Sequence, residues 1–91
     1  TEKPFFATIF TLSSHQPYKL PEAYKDKFTA QGLPILKSVQ YTDFAVQKFM
    51  KCVEEKDWFK NTVFIFTADH TGPELQPNSS FISRHQVPLF I

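Results

Sequence analysis

The chain has 91 residues and a mass of 10.6 kDa, which excludes more than one domain of ordinary size. Eleven Phe and an aromatic content of 16% exclude a disordered tail, since such a chain has ample apolar surface to bury. A net charge of +1, with Arg84 the one Arg among ten cations, excludes a nucleic-acid interface, which calls for an Arg-rich basic stripe.

The lone Cys52 excludes an internal disulfide and a thiolate zinc site. No apolar run reaches the roughly 18 residues of a membrane span, and Thr1-Glu2-Lys3-Pro4 lacks the layout of a signal peptide. A body this small leaves roughly 40% of its surface in water. So many Phe therefore suggest a portion of a larger fold.

The first element expected is a strand at residues 5–12, Phe5-Phe6-Ala7-Thr8-Ile9-Phe10-Thr11-Leu12, ended by Ser13-Ser14. Its nearly unbroken apolar character suits a strand covered on both faces, as in a parallel sheet. Residues 16–33, with Pro17, Pro21 and Gly32, read as a surface loop with a short helical turn at 22–28. A long helix follows from Pro34, which suits a first helical turn. Ile35, Val39, Val46, Phe49 and Val53 recur at helical spacing, widened by Leu36, Phe44 and Met50. Lys37, Gln40, Gln47, Lys48, Lys51, Glu54 and Glu55 supply the polar side. The pattern fades between Asp57 and Asn61.

A second apolar strand is expected at 62–67, stopping at Asp69, then a loop at 71–86 carrying Gly72, Pro73 and Pro77. A third strand at 87–91 is entered through Pro88, and Pro is tolerated near a strand start. Strand, crossover helix and strand predict an α/β fold built on a parallel βαβ unit plus a further strand. That topology brings the ends of the first two strands to one sheet edge, where open α/β sheets bind ligands. Those ends carry Ser13-Ser14-His15 and Asp69-His70.

A carboxylate oxygen and an imidazole nitrogen together suit a divalent cation such as Mn²⁺ or Zn²⁺. Asp69 and His70 are thus candidate metal ligands, against the plainer alternative that Asp69 closes a turn and His70 faces solvent. His15 is a candidate phosphate partner, because a neutral imidazole can donate to a phosphoryl oxygen and an imidazolium also offsets its charge. Its alternative is a loop His bonded to nearby backbone. Ser13 and Ser14 lack the Gly-x-Ser-x-Gly elbow of an activated nucleophile. His85 reads as structural, and Asp43 either meets the loop edge or faces solvent.

In order and spacing, Thr11-Leu12-Ser13-Ser14-His15-x-Pro17-Tyr18, Tyr41-Thr42-Asp43, Asn61 through His70-x-Gly72, and Val87-Pro88-Leu89-Phe90-Ile91 resemble the C-terminal part of a sulfatase-fold enzyme. Within the alkaline phosphatase superfamily the likeness is to the lipoteichoic acid synthase, or phosphoglycerol transferase, group. The resemblance implies that residues 1–91 are a C-terminal fragment of a catalytic domain within a larger alkaline-phosphatase-like sandwich. Asp69 and His70 would be metal ligands, for Mn²⁺ first and Zn²⁺, Mg²⁺ or Ca²⁺ as alternatives, and His15 would bind substrate.

The implied substrate is a phosphate or sulfate ester, a lipid-linked phosphoglycerol among the candidates, attacked by a Thr outside this chain. Thr8, Thr11, Thr62, Thr67 and Thr71 match no such nucleophile, so the chain alone is expected to be inactive. The implied location is the cell membrane, with the catalytic domain outside. The competing reading is a non-catalytic α/β interaction module with an exposed aromatic patch.

Overall fold

In a computed structural model, which describes residues 2–72 and 80–91, the chain divides into two units, Thr1–Lys60 and Asn61–Ile91. The first is organised by one helix, α1, at Ile35–Val53. Pro34 stands at its N-cap with helical φ and ψ, as expected of a residue whose missing N–H costs the helix nothing there. The helix stops earlier than the sequence pattern suggests. Glu54 N–H still reaches Met50 O at 3.0 Å, but Lys56 and Phe59 then bond carbonyls three residues back. The tightened turns lead into a single 3-10 turn at Phe59–Asn61.

The covered line of α1 is also rotated from the expected stripe. Ser38 is fully buried, Val53 is 6% exposed, and Ile35, Thr42, Val46 and Met50 on the same line are half-buried. Val39 and Phe49, expected inside, are exposed. The line runs through two small hydroxyl residues that need no outside partner. Ser38 Oγ donates to Ile35 O at 2.7 Å and Thr42 Oγ1 donates to Ser38 O at 3.0 Å, so both bury their polarity within the helix itself.

Next to that line, Tyr41 and Phe44 meet Tyr24 and Phe28 with ring centroids 5.6 to 6.1 Å apart, in tilted and edge-on geometries. Tyr24 belongs to the 3-10 turn Glu22–Tyr24, which realises the helical turn expected in the loop. Gln40 Oε1 accepts Ala30 N–H at 3.0 Å and ties the far end of the loop to the helix.

Residues 5–12 form no strand, so the expected parallel βαβ unit is absent from the described residues. Phe6 is 94% exposed, and Ile9, Phe10 and Leu12 are also bare. Phe5 meets the ring of Trp58 edge-on, with centroids 5.3 Å apart. An extended segment becomes a strand only by giving its N–H and C=O groups to a neighbour, and this one has no ladder.

In the second unit the sheet has two strands, β1 at Phe66–Thr67 and β2 at Leu89–Phe90. They pair antiparallel, with Phe66 opposite Phe90 and Thr67 opposite Leu89. Thr67 Oγ1 adds a cross-strand bond to Pro88 O at 3.1 Å, taking up a carbonyl beside the ladder. Residues 62–67 were expected to be covered on both faces. Instead Thr62, Phe64 and Phe66 are half-buried while Val63 and Ile65 are exposed, which is the period of two expected when one face alone is covered.

Within the expected loop at 71–86, the part at 73–79 lies outside the described residues. The remainder contains a one-turn helix, α2, at Phe81–Arg84. Ser80 caps it by accepting Ser83 N–H on its Oγ at 3.2 Å.

Candidate functional site

Asp69 and His70 follow β1 after Ala68, in a bend that presents both side chains to solvent at 58% and 57% exposure. Local hydrogen bonds decide what each can offer. Asp69 Oδ1 accepts the backbone N–H of His70 at 3.0 Å, which leaves Oδ2 free to face outward. His70 Nδ1 lies 2.9 Å from Thr71 O. A carbonyl can only accept, so Nδ1 carries the proton and, in the neutral ring, Nε2 carries the lone pair. Nε2 then stands 3.5 Å from Asp69 Oδ2, too far for a good hydrogen bond.

This arrangement passes a test of fit for a metal ion. Ligands about 2.1 Å from one ion lie about 3.4 Å apart at a tetrahedral angle and about 3.0 Å apart at a right angle. The observed separation needs a closure of about half an ångström at most. The Nδ1–H bond to a carbonyl is the second contact that metal-bound imidazoles commonly make, fixing the ring and its tautomer. Among the described residues, no group of three or more His, Cys, Asp or Glu side chains converges to complete a site. Two donors alone do not complete a metal site.

Thr71, passed over in the sequence, anchors the pair. Its carbonyl holds His70 and its N–H donates to Arg84 O at 2.7 Å, joining the bend to the end of α2. Its Oγ1 is buried without a hydrogen-bond partner among the described residues. Nothing in the residue types of 69–71 signals this role, because the backbone performs it.

In the first unit, His15 sits in a tight turn. His15 N–H donates to Leu12 O at 3.0 Å and Tyr18 N–H donates to His15 O at 2.9 Å, across a cis Gln16–Pro17 peptide. Tyr18 takes φ 58°, a left-handed conformation uncommon outside glycine. His15 Nδ1 donates to Gln16 O at 2.8 Å. This bond bears on which ring nitrogen His15 presents to solvent. With Nδ1–H spent on a carbonyl, the outward Nε2 is an acceptor in the neutral ring and a donor only in the imidazolium.

His85 Nδ1 donates to Phe81 O at 2.7 Å and its ring lies 4.4 Å from that of Phe81, so its contacts are local to α2. Asp43 is exposed on α1. No helix among the described residues is long and apolar enough to cross a membrane.

Comparison with known proteins places these features in context. The chain is 27% identical over 75 residues to lipoteichoic acid synthase-like YvgJ of Bacillus subtilis strain 168, a match covering 77% of this chain and 12% of that protein. It is 30% identical over 76 residues to lipoteichoic acid synthase 1 of the same organism, covering 78% of this chain and 12% of the relative. The match thus spans about an eighth of the length of these curated relatives. No solved structure matches the chain significantly. The family model described as Sulfatase matches residues 1–91, every residue of the sequence, and on that ground the chain belongs to the sulfatase family, with the α/β fold this implies.

Proposed function

We propose that the chain is a C-terminal part of the catalytic domain of a metal-dependent phosphoglycerol transferase of the sulfatase family. In this reading Asp69 and His70 ligate a divalent cation, Mn²⁺ in the first place, and His15 contacts the phosphate of a phosphate-ester substrate. The observation that carries the reading is the 3.5 Å approach of Asp69 Oδ2 to His70 Nε2, with the other oxygen and the other ring nitrogen already occupied by backbone. Similarity to two proteins named for lipoteichoic acid synthesis favours phosphoglycerol transfer over sulfate-ester hydrolysis.

The bound ion would lower the pKa of an attacking hydroxyl and offset charge on the phosphoryl oxygens. The chain's own residues orient the ion and the substrate. Thr71 O holds the His70 ring so that its lone pair points outward, and the ladder and α2 fix the bend from either side. His15, as the imidazolium, donates from Nε2 to a phosphoryl oxygen and offsets its charge. The nucleophile is a Thr outside these 91 residues, its oxygen bonding to phosphorus as the lipid alkoxide departs. The location proposed is the outer face of the cell membrane. The bare residues of 5–12, with Val63 and Ile65, are covered there by the rest of the domain.

The test uses the longer protein that carries this chain, assayed for transfer of glycerol phosphate from a phosphatidylglycerol donor. Asp69→Asn and His70→Ala should each lower the rate by roughly a thousandfold or more, since each removes a metal ligand. Wild-type rates in both variants would end the reading. The competing view, a non-catalytic interaction module, draws on the same exposed apolar residues. It predicts no dependence of any activity on Asp69 or His70.

A further inference from the structure

Within the first unit, a cavity of about 410 Å³ opens between the segment from Tyr18 to Lys25 and the first turn of α1. Its volume lies in the range that holds small molecules. Lys19, Lys25 and Lys37 line it together with Glu22. Three lysines against one glutamate give this wall a charge of +2, whereas the whole chain carries +1. The rest of the molecule, with seven cations and eight acids, is therefore nearly balanced, and the hollow carries a local net positive charge.

The lysines are not equivalent. Lys25 Nζ lies 3.7 Å from Glu22 Oε1, so part of its charge is answered locally. Lys19 and Lys37 have no carboxylate within ion-pair distance among the described residues. Lys37 is also placed against the electrostatics of its own helix. It sits in the first turn of α1, which holds no acidic residue and whose N-cap, Pro34, makes no side-chain cap bond. The positive end of a helix disfavours a cation there. An anion held between Lys19 and Lys37 resolves that conflict.

We propose that this cavity binds the phosphate group of a polyol phosphate ester. Lys19 and Lys37 take the phosphate oxygens as charge-assisted donors. Glu22, which would repel a bare anion, instead accepts a hydroxyl of the polyol and gives a preference for the ester over inorganic phosphate. Tyr18 links the cavity to His15, whose carbonyl accepts the Tyr18 N–H. The proposal rests on the function above for the ligand being a substrate, but binding at the lysines does not involve the metal pair.

The test is titration of the protein with glycerol phosphate in the presence of EDTA, followed by amide chemical shifts. Saturable shifts should centre on residues 18–25 and 34–37. The Lys19→Gln/Lys37→Gln variant should bind roughly tenfold more weakly or worse, while the Lys19→Arg/Lys37→Arg variant keeps the affinity. Glu22→Gln should narrow the difference between glycerol phosphate and inorganic phosphate. His70→Ala should bind as the wild type does, so a failed metal site leaves this result standing.

Sedimentation with phosphatidylglycerol and phosphatidylcholine vesicles separates the sources of the ester. Lysine-dependent binding to the former assigns a lipid headgroup; soluble binding without vesicle binding assigns a free or polymeric ester. Equal affinity in the Gln double variant, or shifts reproduced by chloride at the same ionic strength, would overturn the proposal. Lys19, Glu22 and Lys37 all line an open hollow, so these variants keep the fold, which amide spectra of α1 verify.

Discussion

The turn at His15 and the bend at His70 use one device for different ends. In each, Nδ1 donates to the carbonyl of the following residue, at 2.8 Å and 2.9 Å, and Nε2 is turned outward. What differs is the company. His70 has a carboxylate at its side and a strand ladder behind it; His15 is followed by Tyr18 and Lys19 at the rim of a basic hollow. In the proposed function the same imidazole thus serves as a cation ligand in one place and an anion partner in the other. Neighbouring charge decides the role, and the backbone lock merely makes the nitrogen available.

The two regions are also held differently, one by side-chain packing on a helix and the other by a few hydrogen bonds. Mutation can break that contrast. The largest effect is expected at Val53, the one buried hydrophobic side chain among the described residues. Val53→Ala should cost about 2 kcal/mol, seen as faster hydrogen exchange along α1 with the His70 bend unchanged. Next comes Ser80→Ala, which removes the cap of α2. It should cost about 1 kcal/mol and loosen the Thr71–Arg84 bond, with added exchange at Thr71 and none at α1. The smallest is Thr67→Val, which deletes the bond to Pro88 O and should cost roughly 0.5–1 kcal/mol by denaturant titration. If Val53→Ala disturbed the bend as strongly as Ser80→Ala does, the two regions would not be independent.

How much of this could be read in advance follows from how local each cause is. The helix was legible, because the spacing of Ile35, Val46 and Val53 lies in the chain itself. Its buried line was not. Ser38 and Thr42 look polar on paper, and only their bonds to Ile35 O and Ser38 O make them fit for burial. The extended character of 62–67 was legible, but its coverage on a single face depends on what lies across from it. Residues 5–12 share that composition yet form no strand, since no partner among the described residues completes the ladder. Ser80, read only as part of a loop, caps α2 through its Oγ, and that bond shows only once the helix is formed.

At the candidate site, Asp69 and His70 were legible as residue types after a strand, whereas the strand expected before His15 is not formed among the described residues. Their tautomers and the anchoring by Thr71 were not, because backbone carbonyls set both. That detail changes the chemistry expected of His15, which offers an outward proton only when its ring is charged.

The central claim is that Asp69 and His70 act together as ligands. Calorimetric titration with Mn²⁺ tests it most directly, on the wild type and on Asp69→Ala, His70→Ala, His15→Ala and His85→Ala. Weak binding should be present in the wild type, fall by roughly tenfold or more in the first two variants, and persist in the last two. Isotherms for Asp69→Ala and His70→Ala that overlay the wild type would contradict the account.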